Sequence, residues 1–189
     1  LITAMLTPEK AKEVLQGAEL ICDEANVQAA LERLAAGISQ RLGHSNPLIL
    51  SVMGGAVVFS GHLLTRLNFP LDFDYLHVTR YGDATAGGGL QWKVFPQTSL
   101  TGRVVLVLDD VLDEGHTMAA IRQRVMEAGA TQFFCAVFAD KNIDRVKPLQ
   151  ADFVGVELPD RYVFGYGMDV KGAWRNLPAI YALKRGQAL

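Results

Sequence analysis

Between residues 26 and 42 the chain reads NVQAALERLAAGISQRL, with Val27, Leu31, Leu34, Ile38 and Leu42 recurring at spacings of three and four. That period predicts a helix with one apolar face, with Asn26 as N-cap and Gly43 as its stop. Residues 8–18 carry a second helical pattern. PLILSV (47–52) is a short aliphatic run and predicts a buried strand, after which GGAVVFSGHLLTRL (54–67) predicts a glycine turn opening a helix. LDFDYLHVT (71–79) alternates as a strand. RVVLVLDD (103–110) is continuously apolar until its last two positions, the pattern of a strand covered on both faces. TMAAIRQRVMEAGA (117–130) places Met118, Ile121 and Val125 on one helical face with Gly129 at its end, and FFCAVF (133–138) predicts the next strand. Strand, helix, strand at this spacing is a βαβ unit with a parallel sheet and a right-handed crossover. DFVGVEL (152–158) adds one more strand, and beyond it aromatics and glycines replace helical patterning.

GDATAGGGLQ (82–91) breaks this rhythm: it has almost nothing to bury, so it predicts a mobile loop, with WKVF a short strand behind it. There is no internal repeat and no linker, so one α/β domain over residues 1–189 is expected.

Composition removes several classes of function. A net charge of −2 argues against a broad nucleic-acid face, although a small phosphorylated ligand needs only local positive potential. The longest apolar runs are interrupted by glycine and too short for a bilayer, and no basic region precedes an apolar one at the N-terminus. A cytoplasmic protein without a membrane segment is expected, though a first residue other than Met points to trimming. Cys22 and Cys135 stand far apart in apolar contexts, as reduced core cysteines do, and no Cys/His spacing suits a metal.

Candidate chemistry lies in VVLVLDDVLDEGHT (104–117). Ligands of parallel sheets bind beyond strand carboxyl ends, where Asp109 and Asp110 fall. The following loop feeds a helix whose N-terminus suits a phosphate, with Gly115 allowing close approach and Thr117 offering a hydroxyl as cap and phosphate donor. Acids beside an anion cradle make sense if sugar hydroxyls or a bridging Mg²⁺ occupy the space. A strand-end Asp pair can also merely cap structure. A Walker-type NTPase would require a glycine-rich lysine loop, which the chain lacks.

Aliphatics, two acids, two aliphatics and then Asp-x-Gly-x-Thr resembles the phosphoribosyl-pyrophosphate (PRPP) motif of type I phosphoribosyltransferases. PDRYVFGYGMDV (159–170) with WRNL, FADKN (138–142), SVMGG (51–55) and TRYGD (79–83) resemble, in order, further segments of the hypoxanthine-guanine phosphoribosyltransferase family, so that the likeness spans about residues 26–178. The resemblance implies a mostly parallel central sheet flanked by helices, with a core over about 26–158. It also implies a small purine-binding hood from the N- and C-terminal segments and a mobile lid over about 81–98, including Arg80 and Tyr81 at its start.

The same resemblance implies roles. Asp109 and Asp110 hold the ribose hydroxyls, and Asp113, Glu114, Gly115, His116 and Thr117 wrap the 5′-phosphate. Asp113 also acts as general base at the purine. Met53, Gly54, Gly55 and Arg175 meet pyrophosphate, in a loop that contains a non-proline cis peptide in some relatives. Lys141, Tyr162, Val163 and Asp169 bind the purine: Lys141 at O6, Tyr162 by stacking and Val163 through its backbone. Asp169 holds Mg²⁺, with Asp109 and Asp110 as further metal ligands. The implied partners are PRPP and a 6-oxopurine, in a homodimer or homotetramer, with hypoxanthine, guanine and xanthine unranked. The chain departs from the family pattern at Asp109, where purine-salvage relatives often have Glu. It departs again at Glu114, where many have Thr or Ser, and at Met53, where some have Lys. Each residue has a plainer reading: Lys141 as a surface lysine, Tyr162 as a core aromatic, Asp169 as a turn former and Arg175 as a surface ion pair. Two other functions remain open: transfer to another base, and a non-catalytic PRPP-binding regulator.

Overall fold

In the computed structural model the described residues are 5–80 and 90–187, without the side chain of Arg80. Two helices open the fold, α1 (Pro8–Gly17) and α2 (Glu24–Leu42), separated by β1 (Glu19–Cys22). Next come β2 (Leu48–Val52), α3 (Val57–Leu64), β3 (Asp72–Arg80), β4 (Leu90–Val94), β5 (Val104–Leu112) and α4 (His116–Glu127). The chain ends with β6 (Gln132–Asn142), β7 (Phe153–Pro159), β8 (Val163–Phe164) and β9 (Ile180–Ala182).

A six-stranded sheet runs in the order β4-β3-β2-β5-β6-β7. All its neighbouring pairs are parallel except β3 with β4. The fold is therefore the α/β, mostly parallel architecture expected. Central strand β5 shows why its sequence carries no polar alternation. Leu106 and Leu108 join the core beneath α2 and α3, with Leu31, Leu34, Ile38, Phe59 and Phe138. Val105 and Val107 join the opposite core, beneath Met118, Ile121 and Val125 of α4. Each face of the strand is covered, so both phases of the period must be apolar.

A second, three-stranded sheet, β1-β9-β8, brings the N- and C-terminal segments together. Val14, Phe164 and Val170 form its small core, and Trp174 Nε1 donates to the Ala11 carbonyl at 2.7 Å. These strands are two to four residues long, too short to show a period in the sequence.

Several boundaries differ from expectation. The N-cap of α2 is Asp23, whose carboxylate accepts from the Asn26 N–H at 2.8 Å, so Asn26 lies inside the first turn. β6 extends through Asn142 because β5 and β7 flank it on both sides, which carries the polar residues Asp140 and Lys141 inside the strand. Leu90 and Gln91 belong to strand β4, not to a loop. Of the expected lid, residues 81–89 lie outside the described residues. Residues 97 and 98 are pinned to β3, since Asp74 accepts from the Gln97 and Thr98 N–H groups at 3.0 and 2.9 Å.

Candidate active site

The carboxyl end of β5 divides two cavities. One, of about 180 Å³, is lined by Asp109, Asp113, Glu114, Gly115 and Thr117 among others. The other, of about 230 Å³, gathers Asp110, Val111, Asp113, Lys141, Tyr162, Val163, Met168 and Asp169. Asp109 follows Val107 to the α4 face, whereas Asp110 follows Leu108 to the other, as strand alternation dictates. Asp113 lines both cavities.

The first cavity leads to the start of α4. Gly115 is the N-cap, in the left-handed region at φ 81°, and has no side chain of its own to cap the helix. Thr117 therefore is not the N-cap residue; it is the second residue of the helix. His116, the first helical residue, is exposed. Glu114 is paired: Arg145 Nη2 stands 3.2 Å from its carboxylate, which offsets the acid beside the expected phosphate position. The two strand-end acids are half-buried. Burial pushes the Asp109 carboxyl well above the usual carboxylate range, and the adjacent Asp110 charge adds to this. Asp110 is also raised by burial, against hydrogen bonding from Asp109 and the nearby charge of Arg175.

Across from β5, the Met53–Gly54 peptide is cis. A Cβ on Gly55 would fall on the Asp110 carboxylate, and one on Gly167 would fall on the Gly55 carbonyl. Glycine at these two positions lets three backbone segments converge on Asp110. The Gly167 turn is held by Arg175, whose Nη1 donates to the Gly167 carbonyl at 2.7 Å and whose Nη2 pairs with Asp169 at 2.6 Å. The second oxygen of Asp169 accepts from the Gly172 N–H at 2.7 Å.

On the base side, Lys141 Nζ donates to Asp113 at 2.9 Å, with the lysine side chain only 13% exposed. It is thus no ordinary surface lysine. Tyr162 stands at the rim, 47% exposed, and Val163 is buried in β8. Tyr81 and the Arg80 side chain lie outside the described residues.

Asp109, Asp110 and Asp169 do not gather as one metal cluster, since among the described residues no three His, Cys, Asp or Glu side chains do so. Asp109 lines the cavity on the α4 side, while Asp110 and Asp169 line the other. Asp110 and Asp169, which share a cavity, offer the hard carboxylate oxygens that suit Mg²⁺ when substrate phosphates complete its shell. Sequence reasoning missed Asp140, Arg145 and Lys147. The charged run DRVK (144–147), directly after the Lys141 segment, was the available signal.

Fold and site together define a mostly parallel α/β protein with an acidic cleft and a glycine-led helix start at its strand ends. The family model described as a phosphoribosyl transferase domain matches residues 18–171. The hypoxanthine-guanine phosphoribosyltransferase of Bacillus subtilis is 31% identical over 168 residues, 88% of this chain and 93% of its own. The hypoxanthine-guanine-xanthine phosphoribosyltransferase of Tritrichomonas foetus is 30% identical over 87% of this chain and 91% of its own. Among solved structures, a hypoxanthine phosphoribosyltransferase from Staphylococcus aureus superposes with a TM-score of 0.85 at 26% identity, covering 90% of this chain and 94% of that one. The chain belongs to the phosphoribosyltransferases, and within them to the hypoxanthine-guanine phosphoribosyltransferase family.

Proposed function

We propose that the protein transfers the 5-phosphoribosyl group of PRPP to hypoxanthine or guanine, giving the nucleotide and pyrophosphate, as a purine-salvage enzyme. The observation that carries this is the cavity that joins Asp110, Asp113, Lys141, Tyr162, Val163 and Asp169, residues that are far apart in the sequence.

In this reading Asp109 and Asp110 accept hydrogen bonds from the ribose hydroxyls, which only donors can satisfy when the acids are ionised. The Asp113–Thr117 loop and the start of α4 receive the 5′-phosphate, where backbone N–H groups and the helix dipole favour an anion. The C1′–oxygen bond to pyrophosphate breaks, positive charge develops at C1′, and N9 of the purine forms the new bond on the opposite face. Arg175 lies beside Asp169 and Asp110 to stabilise the leaving anion. Magnesium, when bound at Asp169 and Asp110, adds positive charge at the same place. Asp113 accepts or shares the proton at N7, and Lys141 donates to O6, which selects a 6-oxopurine over adenine because an ammonium cannot accept. Tyr162 covers a ring face. The single-domain organisation, cytoplasmic location and homo-oligomeric state, dimer or tetramer, belong to this reading through family resemblance.

Turnover with PRPP and a panel of hypoxanthine, guanine, xanthine and adenine tests it. Hypoxanthine and guanine should be used and adenine rejected. Preference for adenine, or no turnover with any base, would overturn the proposal.

A further inference from the structure

Lys147 has no part in the chemistry described so far, yet its side chain is only 10% exposed. Lysine is rarely so buried without partners. It lies on the connection between β6 and β7, and its ammonium has three acceptors, one for each proton. Nζ donates to the Leu112 carbonyl at 2.8 Å, to the Lys141 carbonyl at 2.6 Å and to the Asp140 carboxylate.

The location of these acceptors gives the lysine its significance. The ladder between β5 and β6 ends at the pair Leu112 and Asp140. Asp113 and Lys141 are the next residues along, so the backbone ladder does not fix their separation. The Lys147 ammonium bridges the two chains at that point, holding the carbonyl just before Asp113 and the carbonyl of Lys141 itself. Its stem serves a third part of the site: a Cβ at Gly115 would stand 3.3 Å from Lys147 Cβ and 3.4 Å from Pro148 Cδ. One residue therefore braces the base-reading pair and the back of the phosphate loop.

Its charge acts as well. Asp140 is the immediate neighbour of Lys141 and half-buried at the strand end. With Lys147 absent, that carboxylate would lose its partner, and an uncompensated half-buried charge beside Lys141 is costly.

We propose that Lys147 is a positioning residue that sets the separation of Asp113 and Lys141, and with it the affinity for the base. The inference rests on the 6-oxopurine reading above, and its test separates the two. Lys147→Met keeps the stem and removes the charge and donors. Assayed well below its melting temperature, it should raise KM for hypoxanthine by at least about ten-fold and KM for PRPP by less than about three-fold, with Lys147→Arg recovering part of the loss. A merely structural lysine would lower thermal stability while leaving the ratio of the two KM values unchanged, and that result overturns the proposal. Hydrogen exchange of peptides covering 109–116 and 139–144 in the ligand-free protein gives a readout independent of turnover. Exchange should accelerate in Lys147→Met, and unchanged protection also overturns the proposal. Should Lys147→Met fail to fold, Asp140→Asn takes its place, with a rise in hypoxanthine KM of about three-fold or more expected and an unchanged value counting against the proposal. Lack of wild-type turnover with every base would instead count against the functional reading, while the exchange result still decides the role of Lys147.

Discussion

Lys141 and Asp113, the two groups that the proposed reading turns towards the base, are bonded to each other at 2.9 Å across the ends of neighbouring parallel strands. In the ligand-free protein each neutralises the other, and in the proposed reading a base bonds both of them. A ring presenting an acceptor at one edge position and a proton-bearing nitrogen beside it fits this pair.

Asp113→Asn should lower kcat by about 100-fold or more, the range of a lost general base, with KM for PRPP little changed. Steady-state kinetics with both substrates varied checks this. Near-normal turnover would remove Asp113 from the chemistry.

Lys141→Ala should weaken hypoxanthine and guanine by about 10- to 100-fold in kcat/KM, the cost of a hydrogen bond from a charged group. It also leaves Asp113 without its partner. If the variant discriminates against adenine as strongly as the wild type, O6 is read elsewhere.

Asp169→Asn should raise the Mg²⁺ concentration needed for half-maximal activity several-fold. The carboxylate is already shared between Arg175 and the Gly172 N–H, so metal binding has to recruit it from these partners. A magnesium titration of activity at saturating PRPP and base decides the point.

Stability of the ligand-free protein should fall as pH rises above the ordinary carboxylate range. The folded state keeps a proton on Asp109 that the unfolded chain has already released, because burial and the Asp110 charge disfavour the anion. The contribution is complete below the unfolded pKa and is lost as pH passes through the raised folded value. Melting temperatures between about pH 4.5 and 8 should show this slope, and Asp109→Asn should flatten it. An equal slope in that variant would place the titration elsewhere.

Gly167→Ala should destabilise the protein by about 1–3 kcal/mol or more, since φ is 97° and the Gly55 carbonyl occupies the Cβ position. Thermal denaturation measures the loss. The PRPP KM should rise in parallel, because the Gly55 loop must move.

The central layer was legible because its physics is local and periodic. Covering β5 on both faces demands aliphatics at every position, and the covered face of α2 demands them every three or four. The strand end was equally visible, as polar residues interrupt an apolar run only where the chain leaves the core. What surrounds that end was harder to read. The β1-β9-β8 sheet joins segments that are about as far apart as the chain allows, and its strands are too short for a period. Glu114, where many relatives have Thr or Ser, pairs with Arg145, thirty-one positions further along the chain.

Sequence alone determined the α/β layering, the placement of paired acids and a glycine-led helix start at one strand end, and the order of the motifs that resemble a phosphoribosyltransferase. Hydrophobic periodicity and backbone geometry act over a few residues, so they are written in consecutive positions. Only the tertiary structure decided that Asp110 shares a cavity with Asp169, that Lys141 meets Asp113, and that Lys147 bridges the strand ends. Those relationships depend on strand register and on loops folding back across the sheet. Neighbours brought together in that way leave no trace in the spacing of residues along the chain.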